Sequence, residues 1–260
     1  MPVAKVNGIN INYEVEGEGQ PLVFIGGLGT DLSFWKRQLP TLKKHCKVVA
    51  FDNRGAGKSD KPNGPYSTRI MADDTVELLD SLGLHRADVL GYSLGGMIAQ
   101  ELAINYPERV ARLILCSTLS NYEGESGLTD KGKQLVGLPK LRYLWELVSL
   151  VFDSPFRRIA QFIKRTLASN EAYVRGYRAQ AEANFKHDTL SRLPLIKAPT
   201  LVLVGSNDRL IRPSSSDVLV SKIPSAKLVK IKDGSHDMCI EMSKAFNTEI
   251  LNFLTSKSCS

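Results

Sequence analysis

Short apolar runs alternate along the chain with longer segments in which apolar residues recur at helical spacing. The runs show little alternation between apolar and polar positions, which is typical of strands buried on both faces of a parallel sheet. They lie at Leu22–Ile25, Lys47–Phe51, Asp88–Gly91, Leu113–Cys116, Thr200–Val204 and Lys227–Ile231. Ahead of them, Val3–Val6 and Ile9–Glu16 predict a hairpin, because Asn7-Gly8 between them favours a tight turn.

The segments with helical spacing separate these strands. They predict helices at Met71–Leu82, Leu94–Tyr106, Ser214–Lys222 and Lys244–Leu254. Gly83 and Pro107 follow the first two and are typical stop signals. Strands that alternate with helices in this way predict an α/β protein with a doubly wound, mostly parallel sheet.

One long segment, from about Ser120 to Leu193, contains no convincing strand pattern. Its amphipathic stretches are Leu141–Phe152, Phe156–Leu167 and Glu171–Phe185. We therefore expect a helical insertion between two strands, with a core domain of residues 1–119 and 194–260 and a helical unit of residues 120–193. Most aromatic residues of the insertion should form its own small core, and some should line a pocket.

Composition and charge exclude several classes of protein. The chain has 260 residues, of which 43% are hydrophobic and 23% charged, as in an ordinary globular protein. No apolar stretch reaches the roughly 18 residues of a membrane-spanning helix, and no secretory leader is readable, so we expect a cytoplasmic protein without membrane insertion. The net charge is +7, but the basic residues are spread along the chain, so nucleic-acid binding is not predicted.

The cysteines and histidines give no sign of a metal site. The four cysteines are scattered without a CxxC pair, which fits free thiols, and the four histidines lack the short spacing of zinc ligands. Arg54–Ser59 resembles the end of a phosphate-binding loop, but residue 52 is Asp where that motif needs Gly. We therefore expect neither a metal, nor a nucleotide, nor another cofactor.

The sharpest motif is Gly91-Tyr92-Ser93-Leu94-Gly95-Gly96, between a predicted strand and a predicted helix. A serine in this context sits on a strained strand-to-helix turn, and the glycines remove Cβ clashes where strand and helix crowd together. The turn exposes the hydroxyl at a helix N-terminus, where the dipole favours negative charge. Ser93 is therefore the predicted nucleophile.

A serine hydroxyl needs a base, and the base needs an orienting carboxylate. His236 follows the last predicted strand, and Asp208 follows the strand before it, so both should lie at the sheet edge where Ser93 emerges. Asp237 is adjacent to His236, and neighbouring side chains usually diverge. Glu123, the first acid after the Leu113–Cys116 strand, is a second choice to Asp208.

Two backbone N–H groups are expected to receive the oxyanion. One belongs to Leu94, directly after the nucleophile, and the other to Leu28 in the glycine-rich loop after the Leu22–Ile25 strand. We also expect the substrate to contact Gly27, Tyr92 and, in the insertion, Trp145.

The chain resembles the α/β-hydrolase superfamily. The motifs that carry the resemblance are Gly26–Gly29, Asp52–Ser59, Gly91–Gly96, Gly205–Asp208 and Gly234–His236. Leu28–Trp35 and Ile98–Ala103 are similar to the branch of 3-oxoadipate enol-lactonases and small carboxylesterases. The resemblance implies an eight-stranded, mostly parallel sheet flanked by helices, with a helical cap inserted between strands 6 and 7.

The same resemblance implies a cofactor-free hydrolase of small esters or lactones. It assigns Ser93, Asp208 and His236 to a catalytic triad and Leu28 and Leu94 to the oxyanion hole. Many relatives carry His-Gly where this chain has Gly26-Gly27, which leaves open what braces the loop. Arg54 is interpreted as a structural residue near the site.

Two alternatives remain open at this point. The same three side chains could serve a cofactor-free carbon–carbon hydrolase or a perhydrolase, or the fold could be a non-catalytic receptor for a small ligand. A homodimer is also left open.

Overall fold

The computed structural model describes residues 2–122, 127–130 and 171–256. Within these ranges, eight strands form one sheet in the order β1-β2-β4-β3-β5-β6-β7-β8. The pairs β1–β2 and β2–β4 are antiparallel, and all remaining neighbours are parallel. The strands are β1 (Val3–Val6), β2 (Ile9–Glu16), β3 (Pro21–Ile25), β4 (Lys47–Phe51), β5 (Ala87–Tyr92), β6 (Val110–Cys116), β7 (Thr200–Gly205) and β8 (Ala226–Ile231).

Burial along the strands explains their sequence patterns. Every residue of β5 and β7 is buried, because helices cover both faces of the centre of the sheet. The edge strand β1 instead alternates exposed and buried positions, and β8 at the opposite edge buries only Ile231 fully. The predicted strands are confirmed, and the structure extends several of them by one to three residues.

Seven α-helices lie in the described ranges, and three short 3-10 turns accompany them at Leu32–Arg37, Pro107–Arg109 and Leu193–Leu195. The helices are α1 (Leu39–Leu42), α2 (Thr68–Ser81), α3 (Leu94–Asn105), α4 (Glu171–Phe185), α5 (Ser214–Lys222), α6 (Met238–Glu241) and α7 (Ser243–Thr255). The helices α1 and α6 have four residues each and were not predicted, since one turn carries no readable periodicity.

The start of α2 differs from the prediction for a local reason. The helix begins at Thr68 and not at Met71, because the Ser67 hydroxyl accepts a hydrogen bond from the backbone N–H of Ile70 at 3.0 Å. A serine in this position satisfies one of the N–H groups that a helix leaves open at its first turn. The apolar spacing alone therefore placed the boundary one turn too late.

Two apolar clusters lie on opposite faces of the sheet. One contains the inward faces of α2 and α3, with Leu78, Leu79 and Met97 at or near zero exposure. The other contains Trp35 together with Phe246 of α7, both almost fully buried. The sheet is thus covered on both faces, and its carboxyl edge is left to the loops that carry the predicted site.

Part of the segment between β6 and β7 lies outside the described residues. This applies to the predicted stretches Leu141–Phe152 and Phe156–Leu167, and also to Trp145 and Glu123. The predicted helix Glu171–Phe185 is confirmed as α4. The division into a core and a cap stays a prediction. No helix in the described parts of the chain is long and apolar enough to cross a membrane.

Candidate active site

Ser93 lies on the turn between β5 and α3, with φ of 53° and ψ of −118°. A positive φ is strained for a residue with a side chain, and such strain is common at functional sites. The flanking glycines make the turn feasible. A Cβ on Gly91 would lie 2.3 Å from the carbonyl oxygen of Gly95, and one on Gly95 would lie 2.0 Å from that of Ile25. The glycines of the motif are therefore steric requirements of the turn.

The structure brings the three predicted side chains into one hydrogen-bonded chain. The Ser93 hydroxyl lies 3.2 Å from Nε2 of His236, and Nδ1 of His236 lies 2.8 Å from Oδ2 of Asp208. The other carboxylate oxygen of Asp208 accepts the backbone N–H groups of Leu210 and Ile211, each at 2.9 Å. The carboxylate is thus fixed on both oxygens and can hold the imidazole in one orientation.

The surroundings of His236 suit a proton acceptor. Burial disfavours the charged imidazolium, but the charge and hydrogen bond of Asp208, together with the charge of Asp237, outweigh it and raise the pKa of His236 above its ordinary value. Both His236 and Asp208 are buried. The imidazole can therefore take a proton from the serine hydroxyl and hold it while an anion forms nearby.

Asp237 contacts Tyr92 instead of the imidazole Nδ1. The Tyr92 hydroxyl donates to Oδ1 of Asp237, and the tyrosine ring lies 5.4 Å from the His236 ring, centroid to centroid. Tyr92 is buried and also stacks on Phe34 at 4.7 Å. The structure thus places this side chain in the core beneath the turn, and its predicted contact with substrate stays a prediction.

The loop after β3 runs directly beside the nucleophile. A Cβ on Gly27 would lie 2.9 Å from the ring of Tyr92 and 3.3 Å from the Cβ of Ser93. Among the described residues, the backbone N–H groups of Leu28 and Leu94 donate to no protein acceptor. Leu94 is the first residue of α3, where a helix offers no internal acceptor. Both N–H groups are thus available to a ligand oxygen.

Two side chains that the sequence analysis did not identify brace this loop. The Thr30 hydroxyl donates to the carbonyl of Gly27 at 2.9 Å, and the Asn53 side-chain amide donates to the carbonyl of Gly26 at 3.0 Å. A Cβ on residue 26 would lie 2.4 Å from the Thr30 hydroxyl oxygen. In this chain the loop with Gly26-Gly27 is therefore braced by Thr30 and Asn53, and the Asp52–Ser59 motif was the available signal for Asn53.

Arg54 lies in a buried ion pair. Its Nη2 donates to Oδ1 of Asp74 at 2.6 Å, its Nε donates to the other carboxylate oxygen, and its guanidinium lies 5.5 Å from the Tyr66 ring centroid. These contacts agree with the interpretation of Arg54 as a structural residue. In the described parts of the chain, no group of three or more His, Cys, Asp or Glu side chains could hold a metal ion.

Comparison with known proteins places the chain in a family. The sequence pattern of the alpha/beta hydrolase fold matches residues 20–144. The chain is 31% identical to the 3-oxoadipate enol-lactonase 2 of Acinetobacter baylyi, over 92% of this chain and 91% of that protein. It is 29% identical to the putative carbamate hydrolase RutD of Azorhizobium caulinodans, over 97% of this chain and 98% of that protein.

Solved structures agree with the sequence relatives. The crystal structure of the enol-lactonase from Burkholderia xenovorans LB400 superimposes with a TM-score of 0.85 at 29% identity, covering 98% of this chain and 100% of that one. The chain belongs to the α/β-hydrolase family, and the predicted fold class is confirmed. The names of these relatives support hydrolase activity for the chain, without fixing its substrate.

Proposed function

We propose that the chain hydrolyses carboxylic esters or lactones of small molecules through an acyl-enzyme intermediate. The observation that carries the proposal is the continuous hydrogen-bonded chain from the Ser93 hydroxyl through His236 to Asp208. Nucleophile, base and orienting carboxylate in this arrangement define acyl transfer by an activated serine. The enol-lactonase relatives support the choice of an ester or lactone as substrate.

The proposed reaction has two steps. His236 takes the hydroxyl proton as Oγ of Ser93 attacks the substrate carbonyl, and the N–H groups of Leu28 and Leu94 receive the negative charge on the carbonyl oxygen. The imidazolium then gives its proton to the leaving alkoxide as the bond between that oxygen and the carbonyl carbon breaks, which leaves an acyl serine. The alcohol departs when the substrate is an ester and stays attached to the acyl group when it is a lactone. In the second step His236 activates a water, which releases the acid and restores the hydroxyl.

A carbamate is a second candidate substrate, because a relative of matching length is named a putative carbamate hydrolase. The same attack on a carbonyl would serve, so the two candidates share every residue of the proposed machinery. The carbon–carbon hydrolase, the perhydrolase and the non-catalytic receptor remain alternatives. A panel of p-nitrophenyl esters, lactones of graded ring size, carbamates and vinylogous diketones, with peracid formation assayed separately, discriminates among them.

A fluorophosphonate probe tests the nucleophile directly. We expect stoichiometric labelling of Ser93 in the folded wild-type protein and none in the Ser93→Ala variant, which should also lose hydrolysis. Folded wild-type protein that remains unlabelled, or a Ser93→Ala variant that still turns over, would overturn the proposal. Tight ligand binding without turnover would favour the receptor.

A further inference from the structure

Gln180 lies on α4, outside the sheet, but its side chain contacts two loops at the carboxyl edge of the sheet. Its Oε1 accepts the backbone N–H of Gly29 at 2.9 Å, and its Nε2 donates to the backbone carbonyl of Arg54 at 2.6 Å. Gln180 is fully buried. A buried amide with both ends engaged by backbone groups of separate loops ties those loops to the helix that carries it.

Close packing of α4 against the two loops restricts movement around the hydrogen bonds of Gln180. A Cβ on Gly176 would lie 2.4 Å from the carbonyl oxygen of Gly55, so the helix backbone lies directly against the loop after β4. Gly29 has φ of +65°, and a Cβ there would lie 2.8 Å from the ring of Tyr177. The backbone of α4 therefore lies against one loop, and the ring of Tyr177 on α4 lies against the other.

The brace from Gln180 completes a series of held peptide groups. Asn53 holds the carbonyl of Gly26, Thr30 holds the carbonyl of Gly27, and Gln180 holds the N–H of Gly29. The carbonyl of Gly27 and the N–H of Leu28 belong to one planar peptide group. The direction of the Leu28 N–H is therefore set, because its own peptide group and the peptide groups on either side of it are each held by a hydrogen bond.

We infer that Gln180 is a positioning residue for the oxyanion hole, acting from the segment between β6 and β7 on the loop that carries the Leu28 N–H. The inference rests on the proposed function, because it assigns that N–H to the developing oxyanion. A donor of this kind contributes only when it is held where the charge forms, and a displacement of about 1 Å can cost on the order of 10² in rate. Loss of the brace should therefore lower the rate of chemistry more than it weakens substrate binding.

The test compares three variants with the wild-type protein. Gln180→Met removes both hydrogen bonds at similar volume. Gln180→Glu keeps an oxygen that can accept the Gly29 N–H. Asn184→Leu is the matched control, because Asn184 is a buried amide one turn along the same helix whose side chain donates to the Tyr122 hydroxyl. The measurements are kcat and KM on one ester, the rate of fluorophosphonate labelling, and hydrogen exchange of the backbone amides of residues 26–30.

We expect Gln180→Met to lower kcat and the labelling rate by about tenfold or more, with KM changed by less than about threefold. Exchange over residues 26–30 should accelerate, since the Gly29 N–H loses its acceptor. Gln180→Glu should retain more activity than Gln180→Met, and Asn184→Leu should keep the wild-type kcat, labelling rate and loop exchange. If Gln180→Met does not fold, Gln180→Glu decides: it lacks the donor to the carbonyl of Arg54, so its kcat and labelling rate should fall below those of Asn184→Leu, and equal values would overturn the inference.

Unchanged kcat and loop exchange in Gln180→Met would overturn the inference, and so would a rise in KM alone or an equal loss in Asn184→Leu. Loop exchange is independent of turnover, which separates the two hypotheses. If the wild-type protein neither labels nor hydrolyses, the proposed function is refuted. If loop exchange is nevertheless faster in Gln180→Met, the side chain of Gln180 still braces the loop. Normal turnover in both the wild-type protein and Gln180→Met would refute the role of Gln180 and leave the proposed function standing.

Discussion

The two halves of the candidate site are built in different ways. The nucleophile turn is held by its own backbone, with Ser93 at positive φ between glycines whose Cβ atoms would overlap neighbouring carbonyls. The loop that carries Leu28 has a turn of its own, in which the N–H and the hydroxyl of Thr30 donate to the carbonyl of Gly27, and it is also held by the side chains of Asn53 and Gln180 from other segments. The first half is a local motif, and the second half depends in addition on residues from two distant segments of the chain.

This difference determines how each half should respond to mutation. A turn set by backbone sterics tolerates almost no substitution, whereas a loop held by several hydrogen bonds should lose function in steps as each bond is removed.

Asp208→Asn should have the largest effect. An asparagine can keep the position of the side chain but removes the charge, so it no longer favours the tautomer and the imidazolium that catalysis needs. In the serine protease triad the equivalent change lowers kcat by about 10⁴, and we expect a loss of that order here. Steady-state kcat on an activated ester checks it, with circular dichroism to establish that the variant is folded.

A loss of less than about tenfold in Asp208→Asn would contradict the role of Asp208. Asp237→Asn is the natural comparison, because Asp237 is the other carboxylate next to the base and bonds to Tyr92 instead. If the two variants exchanged their expected effects, the orienting carboxylate would be Asp237.

The same contrast explains what the sequence could reveal. Continuous apolar runs predicted the central strands, since both faces of β5 and β7 are buried. The glycines around Ser93 predicted the turn because its geometry demands them. Gln180 left no such signal, since an amide that braces a distant loop has no required spacing from it. The short helices α1 and α6 escaped prediction because a single turn shows no periodicity.

Gly27→Ala tests the close approach between the two halves. The added Cβ would lie 2.9 Å from the Tyr92 ring and 3.3 Å from the Cβ of Ser93, so either the loop or the turn must shift. We expect kcat to fall by about 10², because the Leu28 N–H moves away from the position of the oxyanion. Measurement of kcat and KM on the same ester checks it, and an unchanged kcat would show that the loop can shift without cost to the chemistry.

Thr30→Val should have a smaller effect, because it removes one brace and keeps the shape of the side chain. The hydroxyl's hydrogen bond to the carbonyl of Gly27 is lost, while the backbone N–H of residue 30 still donates to that carbonyl and Asn53 and Gln180 still hold the neighbouring peptide groups. We expect a loss in kcat of about tenfold, below the 10²–10³ that follows removal of a whole oxyanion donor. If the loop is held in steps, Thr30→Val combined with Gln180→Met should lose more than either single variant, and equal losses would argue for one cooperative unit.

The smallest expected effect concerns the pH dependence of the base. His236 must be neutral to accept the serine proton, and its pKa is raised above the ordinary value because Asp208 and, more weakly, Asp237 outweigh the cost of burial. Activity should therefore fall with acidification through a pKa above about 6.5, the ordinary value for histidine.

Asp237→Asn removes one of the two negative charges near the imidazole, which lowers the pKa of His236 and moves the acid limb of kcat/KM to lower pH. The Tyr92 hydroxyl can still donate to the amide oxygen of the variant, so the plateau above that limb should stay within a few-fold of the wild type. A limb that does not move, or that moves to higher pH, would mean that Asp237 does not act on the base through its charge.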